Sequence, residues 1–154
     1  MKTKMQWMPA VLLAATICLP AHAADVTVTD AWVRPSVQGQ ASSGAYMTLT
    51  AREPLVLTGV STPVAGVAEV HQMRMEGDVM KMSPVEGGLR LAPGTPVELK
   101  PGGYHIMLMS LKTQLQPRTS VPLTLHFRNA AGQASDVQVS APVAASRPMA
   151  HPHQ

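Results

Sequence analysis

"HQMRMEGDVMKM" (residues 71–82) is the stretch that decides how this chain folds. Apolar and charged side chains alternate on both sides of Gly77 and Asp78, with the period of two that belongs to β-strands. Gly at the first central position suits a two-residue type II′ turn, so the stretch predicts a β-hairpin. That turn sets Glu76 opposite Val79, Met75 opposite Met80, Met73 opposite Met82, and His71 opposite Pro84. His71, Met73, Met75, Met80 and Met82 then share one face. A slip of one residue would set Met73 against Lys81 and scatter the sulfurs over both faces.

The rest of the chain reads the same way. Its 14 Pro and 11 Gly are spread so that few windows run far without a breaker. Short alternating runs lie at 26–35, 44–51, 55–62, 68–75, 79–85, 89–92, 97–101, 104–112, 121–128 and 134–143. Such runs, separated by turn residues, predict an all-β sandwich or barrel. In "YHIMLMSLK" (104–112), Tyr104, Ile106 and Leu108 form the expected core face, with His105, Met107 and Met109 on the other. Met47 and Trp32 are expected inside the sandwich. His126, on a face with Thr124 and Arg128, reads as a solvated surface residue.

"MKTKMQWMPAVLLAATICLPAHA" (1–23) has the form of a secretory signal peptide: a Lys-containing start, a short apolar run and a small-x-small site ending at Ala23. A lipid anchor through Cys18 is the weaker reading, because Ile17 is bulky where such sites want a small residue. Cleavage leaves 24–143 as one domain and 144–154, "AASRPMAHPHQ", as a mobile tail. It also removes Lys2 and Lys4, so ten basic side chains face nine acidic ones, a formal charge of +1. With no basic cluster and almost no aromatic surface, nucleic-acid binding is excluded. Stable membrane insertion after cleavage is not expected either. The balanced charge and the loss of the only Cys, Cys18, fit a monomer without thiol or disulfide, in an oxidising compartment such as the periplasm.

The chemistry follows from softness. Thioether sulfur is a poor ligand for Zn²⁺, Mg²⁺ or Ca²⁺ and a good one for Cu(I), and imidazole also suits copper. Without Cys, a blue-copper centre is disfavoured. The candidate metal ligands are His71, Met82, His105 and Met107, with Met73 and Met80 as further candidates. Met149, His151 and His153 in the tail could hold a second ion, Cu(II) through imidazole. No nucleophile triad or phosphate loop stands out, so no enzyme is expected. A reading from another class is a non-catalytic partner-binding or assembly module whose Met-rich surface contacts other proteins.

These residues resemble the PCuAC-type periplasmic copper chaperones. The family's motif is an His, ten residues, a Met, a longer gap and His-x-Met. Here ten residues separate His71 from Met82, and twenty-two separate Met82 from His105 in "HIM", one more than is usual. The family often has Met directly after the first His, where this chain has Gln72 and then Met73, which leaves Met73 and Met80 open as substitutes for Met82. "DAWVRP", "SGAYMTLTA", "LKPGGYHIMLMSLK" and "VPLTLHF" extend the likeness over most of 25–140. The resemblance implies a cupredoxin-like Greek-key β-sandwich that binds Cu(I). It further implies delivery toward the CuA centre of cytochrome c oxidase, with the CuA subunit or a Sco-type copper chaperone as partner.

Overall fold

Ten strands form where the alternating runs lie: β1 (Val26–Val33), β2 (Ser42–Ala51), β3 (Leu55–Ser61), β4 (Ala65–Glu76), β5 (Val79–Pro84), β6 (Leu89–Leu91), β7 (Val97–Leu99), β8 (Tyr104–Leu111), β9 (Ser120–Asn129) and β10 (Ala134–Pro142). The computed structural model describes residues 25–148. Residues 1–23, expected to be a signal peptide, and with them Cys18, lie outside the described residues, as do Met149, His151 and His153.

The strands make two antiparallel sheets. One has the order β1-β2-β8-β4-β5 with β7 also on β2; the other runs β10-β9-β3-β6. The chain crosses between sheets after β2, β3, β5, β6 and β8, which gives the expected Greek-key β-sandwich. Between the sheets pack Val33, Met47, Leu49, Leu57, Leu99, Ile106, Leu108, Leu123, Leu125 and Phe127, all almost fully buried. Burying a side chain of this size contributes about 1.5–3 kcal/mol, so the core carries the stability that disulfides do not.

The hairpin has the register that its turn dictates: Met73 faces Met82, Met75 faces Met80, and His71 faces Pro84. Gly77 stands at φ 63° and Asp78 is not left-handed, as a type II′ turn requires. All of β5 is exposed, so this hairpin projects beyond the core.

Two expectations need correction. Ile106 and Leu108 are fully buried, but Tyr104 is 37% exposed. It is the first residue of β8, opposite Gln72 where the hairpin begins to project, and no core side chain covers it. Trp32 is buried, yet it is not part of the core cluster. The pairing of β1 with β2 shifts by one between Thr29 and Trp32, around Asp30 at φ 54°. This β-bulge inverts the alternation. Val26 and Val28 keep the inner face with Ala51 and Leu49, whereas Trp32 pairs with Tyr46 on the outer face.

The chain end is tied down as far as it is described. Ala144 donates its N–H to the Val33 carbonyl, and Arg147 pairs with Asp30 and Glu98.

Candidate metal centre

Directly paired residues share a face of a sheet. Ile106 pairs with Val70 and Ala45 on the inner face, so His105 and His71, one step along, are turned outward. β4 thus presents Glu69, His71 and Met73 on the outer face, β5 presents Met82, and β8 presents His105 and Met107. His71 stands opposite His105 with ring centroids 6.0 Å apart. Met73, Met82, His105 and Met107 line one open cleft of about 300 Å³.

Both imidazoles are buried, at 7% and 6% exposure, so their hydrogen bonds fix which nitrogen keeps a lone pair. His105 Nδ1 lies 3.1 Å from the Gly103 carbonyl, which can only accept, so Nδ1 carries the proton. The free Nε2 then points at Met82 Sδ, 3.2 Å away. Two lone pairs face each other there, with no proton between them in the neutral ring. A cation shared between them would relieve that contact. For His71, Nε2 donates to the Glu69 carboxylate at 3.2 Å. Its Nδ1 is buried with no hydrogen-bond partner. An unpaired buried group of this kind costs about 1–3 kcal/mol. Each ring therefore has one nitrogen anchored to the protein and one bare, the arrangement that outer-shell partners impose on metal-binding histidines.

An aromatic wall closes the other side. The Trp32 and Tyr46 rings pack with centroids 4.5 Å apart, and Tyr46 lies 6.4 Å from His105. The Arg34 guanidinium sits 5.5 Å from the Tyr46 centroid. A Cβ built on Gly44 would fall 2.5 Å from the Tyr46 hydroxyl, so only Gly lets that ring lie back along β2. Burial pushes the Tyr46 hydroxyl above its ordinary pKa, while Arg34 pulls it part of the way back.

Not every candidate converges. Met80 and Met75 face each other near the hairpin tip, both more than half exposed, and neither lines the cleft. Met109 is on the same face as Met107 but pairs with Val67, farther from His105. Among the described residues no group of three or more His, Cys, Asp or Glu could hold a metal ion, so a site here with three or more protein donors would include thioethers.

Three participants escaped the sequence reading. Glu69 was legible, since E-x-H on a strand puts both side chains on one face. Tyr46 and Arg34 reach the site only through the β1 bulge and the pairing of β2 with β8. The structure also brings together a third group, on the outer face of the second sheet. His126 Nε2 lies 2.9 Å from Ser61 Oγ, and Nδ1 lies 2.8 Å from Asp136. His126 is therefore an anchored residue joining β3, β9 and β10 rather than a simply solvated one. The adjacent Thr58 hydroxyl donates to the His126 carbonyl.

A β-sandwich with a soft-donor cluster on its outer face is the class that this fold and site define, and solved PCuAC domains have the same fold. The copper-bound PCuAC domain from PmoF2 superposes with a TM-score of 0.63 at 22% identity, over 83% of this chain and all of that one. Apo-DR1885 from Deinococcus radiodurans gives 0.51 at 25% identity, over 93% and 96%. The resemblance drawn from the His and Met spacing is borne out at the level of fold. By sequence the chain belongs to the LpqE-like family, described as "Putative lipoprotein LpqE-like", whose model matches residues 26–143. A relative named "Putative lipoprotein Lxx21020", from Leifsonia xyli subsp. xyli, is 30% identical over 131 residues, 84% of this chain and 78% of its own length.

Proposed function

We propose that the chain is a copper-binding chaperone of the cell envelope that holds Cu(I) through His71 Nδ1, His105 Nε2, Met82 and Met107. The 3.2 Å apposition of His105 Nε2 and Met82 Sδ carries this reading. The unpaired His71 Nδ1 supplies a further donor. A single ion bonded to both atoms would bridge that gap. Neutral, soft donors suit a monovalent soft ion that is carried and released, and Met73 stands next to Met82 as a fifth donor in reserve.

The copper bound by the PmoF2 PCuAC domain supports the choice of metal. The lipoprotein names within the family support export, whether the first segment is cleaved after Ala23 or Cys18 anchors the chain. As in the chaperones it resembles, delivery runs toward the CuA centre of cytochrome c oxidase, directly or through a Sco-type partner, and no chemical transformation is assigned to the site. Exposed Met75, Val79 and Met80 at the hairpin tip favour one addition, contact with a partner protein.

Anaerobic titration with Cu(I) against a chromogenic competitor tests the proposal. Wild type should take up one equivalent tightly, and the Met82→Leu/Met107→Leu double variant should not. Equal, weak uptake by both proteins would leave the Met cluster as a contact surface only.

A further inference from the structure

The cleft has a wall that metal binding does not use. Arg34, Gln40, Ser42 and Tyr46 form it, facing Met82 and His105 across the opening. A space of about 300 Å³ is far larger than a bare ion needs and matches the lower end of small-molecule sites. No Asp or Glu lines it. Arg34 makes no ion pair among the described residues. Its guanidinium is held instead by the face of the Tyr46 ring, which fixes a cation without neutralising it. The wall therefore carries an uncompensated positive charge within a small-molecule's length of the sulfur donors.

We infer that this cleft is the approach path for a small anionic thiol that exchanges copper with the site, and that Arg34 draws it in. The inference rests on the Cu(I) reading above. An incoming thiolate sulfur forms a bond to Cu(I) as the bond from Met82 breaks. A second thiolate of the same molecule then displaces the remaining donors. Copper stays Cu(I) throughout, no electron moves, and protons lost by the thiols pass to solvent. Met82, 46% exposed on an edge strand, is the donor placed to leave first. Positive potential in a cleft raises the arrival rate of anions and loses its effect with salt.

The test compares two dithiol acceptors, anionic meso-2,3-dimercaptosuccinate and neutral dithiothreitol, by stopped-flow transfer from the Cu(I)-loaded protein. Taking the ratio of the two rates within each variant cancels any change in copper affinity. Arg34→Gln should lower that ratio on the order of five- to tenfold at low salt, the modest end of electrostatic steering, and Arg34→Lys should keep most of it. A second arm uses no metal. Succinate, a sulfur-free dianion, should shift the Arg34 Nε–H and Tyr46 ring NMR signals of wild type, and leave those of Tyr46 in Arg34→Gln unmoved. An unchanged rate ratio in Arg34→Gln overturns the inference while leaving copper binding intact. Failure to bind Cu(I) overturns the function proposed above, and the succinate arm still decides whether the cleft selects anions.

Discussion

Met82 and His105 are 23 positions apart in the chain, yet the Met82 sulfur lies 3.2 Å from the bare nitrogen of the His105 ring. Two pairings produce that contact: β5 on β4 and β4 on β8. The same pairings leave Met80 near the tip, away from the cleft. Met82→Leu should therefore weaken Cu(I) binding beyond the roughly 10–100-fold that loss of an outer-shell partner costs. Met80→Leu should stay within a few-fold of wild type. Competition titrations of the two single variants distinguish direct ligation from general softness of the hairpin.

Glu69 acts on the metal only through His71. Glu69→Ala should lower Cu(I) affinity about 10–100-fold by releasing the ring, and Glu69→Gln should recover part of it by retaining an acceptor oxygen. Glu69 is itself half exposed, but its loss leaves the buried His71 Nε2–H without an acceptor, so Glu69→Ala should also lower apo stability by about 1–3 kcal/mol. Glu69→Gln should recover most of that stability, and no change in Cu(I) affinity in either variant would show that Glu69 acts on the fold alone.

Gly44→Ala should be costly beyond its one added carbon. The new Cβ would drive the Tyr46 ring off Trp32, and overpacking of this kind costs about 1–3 kcal/mol. Trp32 fluorescence should shift with the loss of stability in denaturant titration.

Tyr46 gives stability a dependence on alkaline pH. Its folded-state pKa is raised, mainly by burial, so the folded protein holds the phenolic proton more tightly than the unfolded chain does. That contribution is complete below pH of about 10 and is lost as pH rises through the folded value. Urea unfolding above pH of about 10 should show stability falling, with a shallower fall in Tyr46→Phe.

His126 tests the opposite face. His126→Ala removes hydrogen bonds to Ser61 and Asp136 that join three strands, and should cost about 1 kcal/mol at this partly exposed position. Copper affinity should stay the same, because the array lies on the other sheet.

The hairpin was legible because its turn and its alternation agree. Gly77 selects the turn, the turn fixes the register, and the register puts every sulfur of 71–82 on one face. Ile106 and Leu108 were equally plain, since uninterrupted alternation in β8 separates core from donors. Trp32 was not. A single left-handed residue, Asp30, reverses the alternation inherited from Val26 and Val28, and nothing in "VTVTDAWV" marks the bulge. Tyr104 was misread for a different reason: periodicity tells which side a residue faces, not whether anything lies across from it. The hydrogen bonds that leave one nitrogen bare on each His depend on Gly103 and Glu69, which acquire that meaning only once backbone and rotamers are set.

None of the four proposed ligands belongs to the packed core; all stand on the face turned away from the second sheet. Scaffold and cargo site are therefore separately mutable. Substitutions at the accessible thioethers Met82 and Met107 can retune the preferred ion or abolish binding at little cost in stability, and repacking between the sheets can proceed with the donors left in register. A lineage can keep this sandwich while gaining, losing or changing its metal, so descent within the family carries less information about cargo than these few outward positions do.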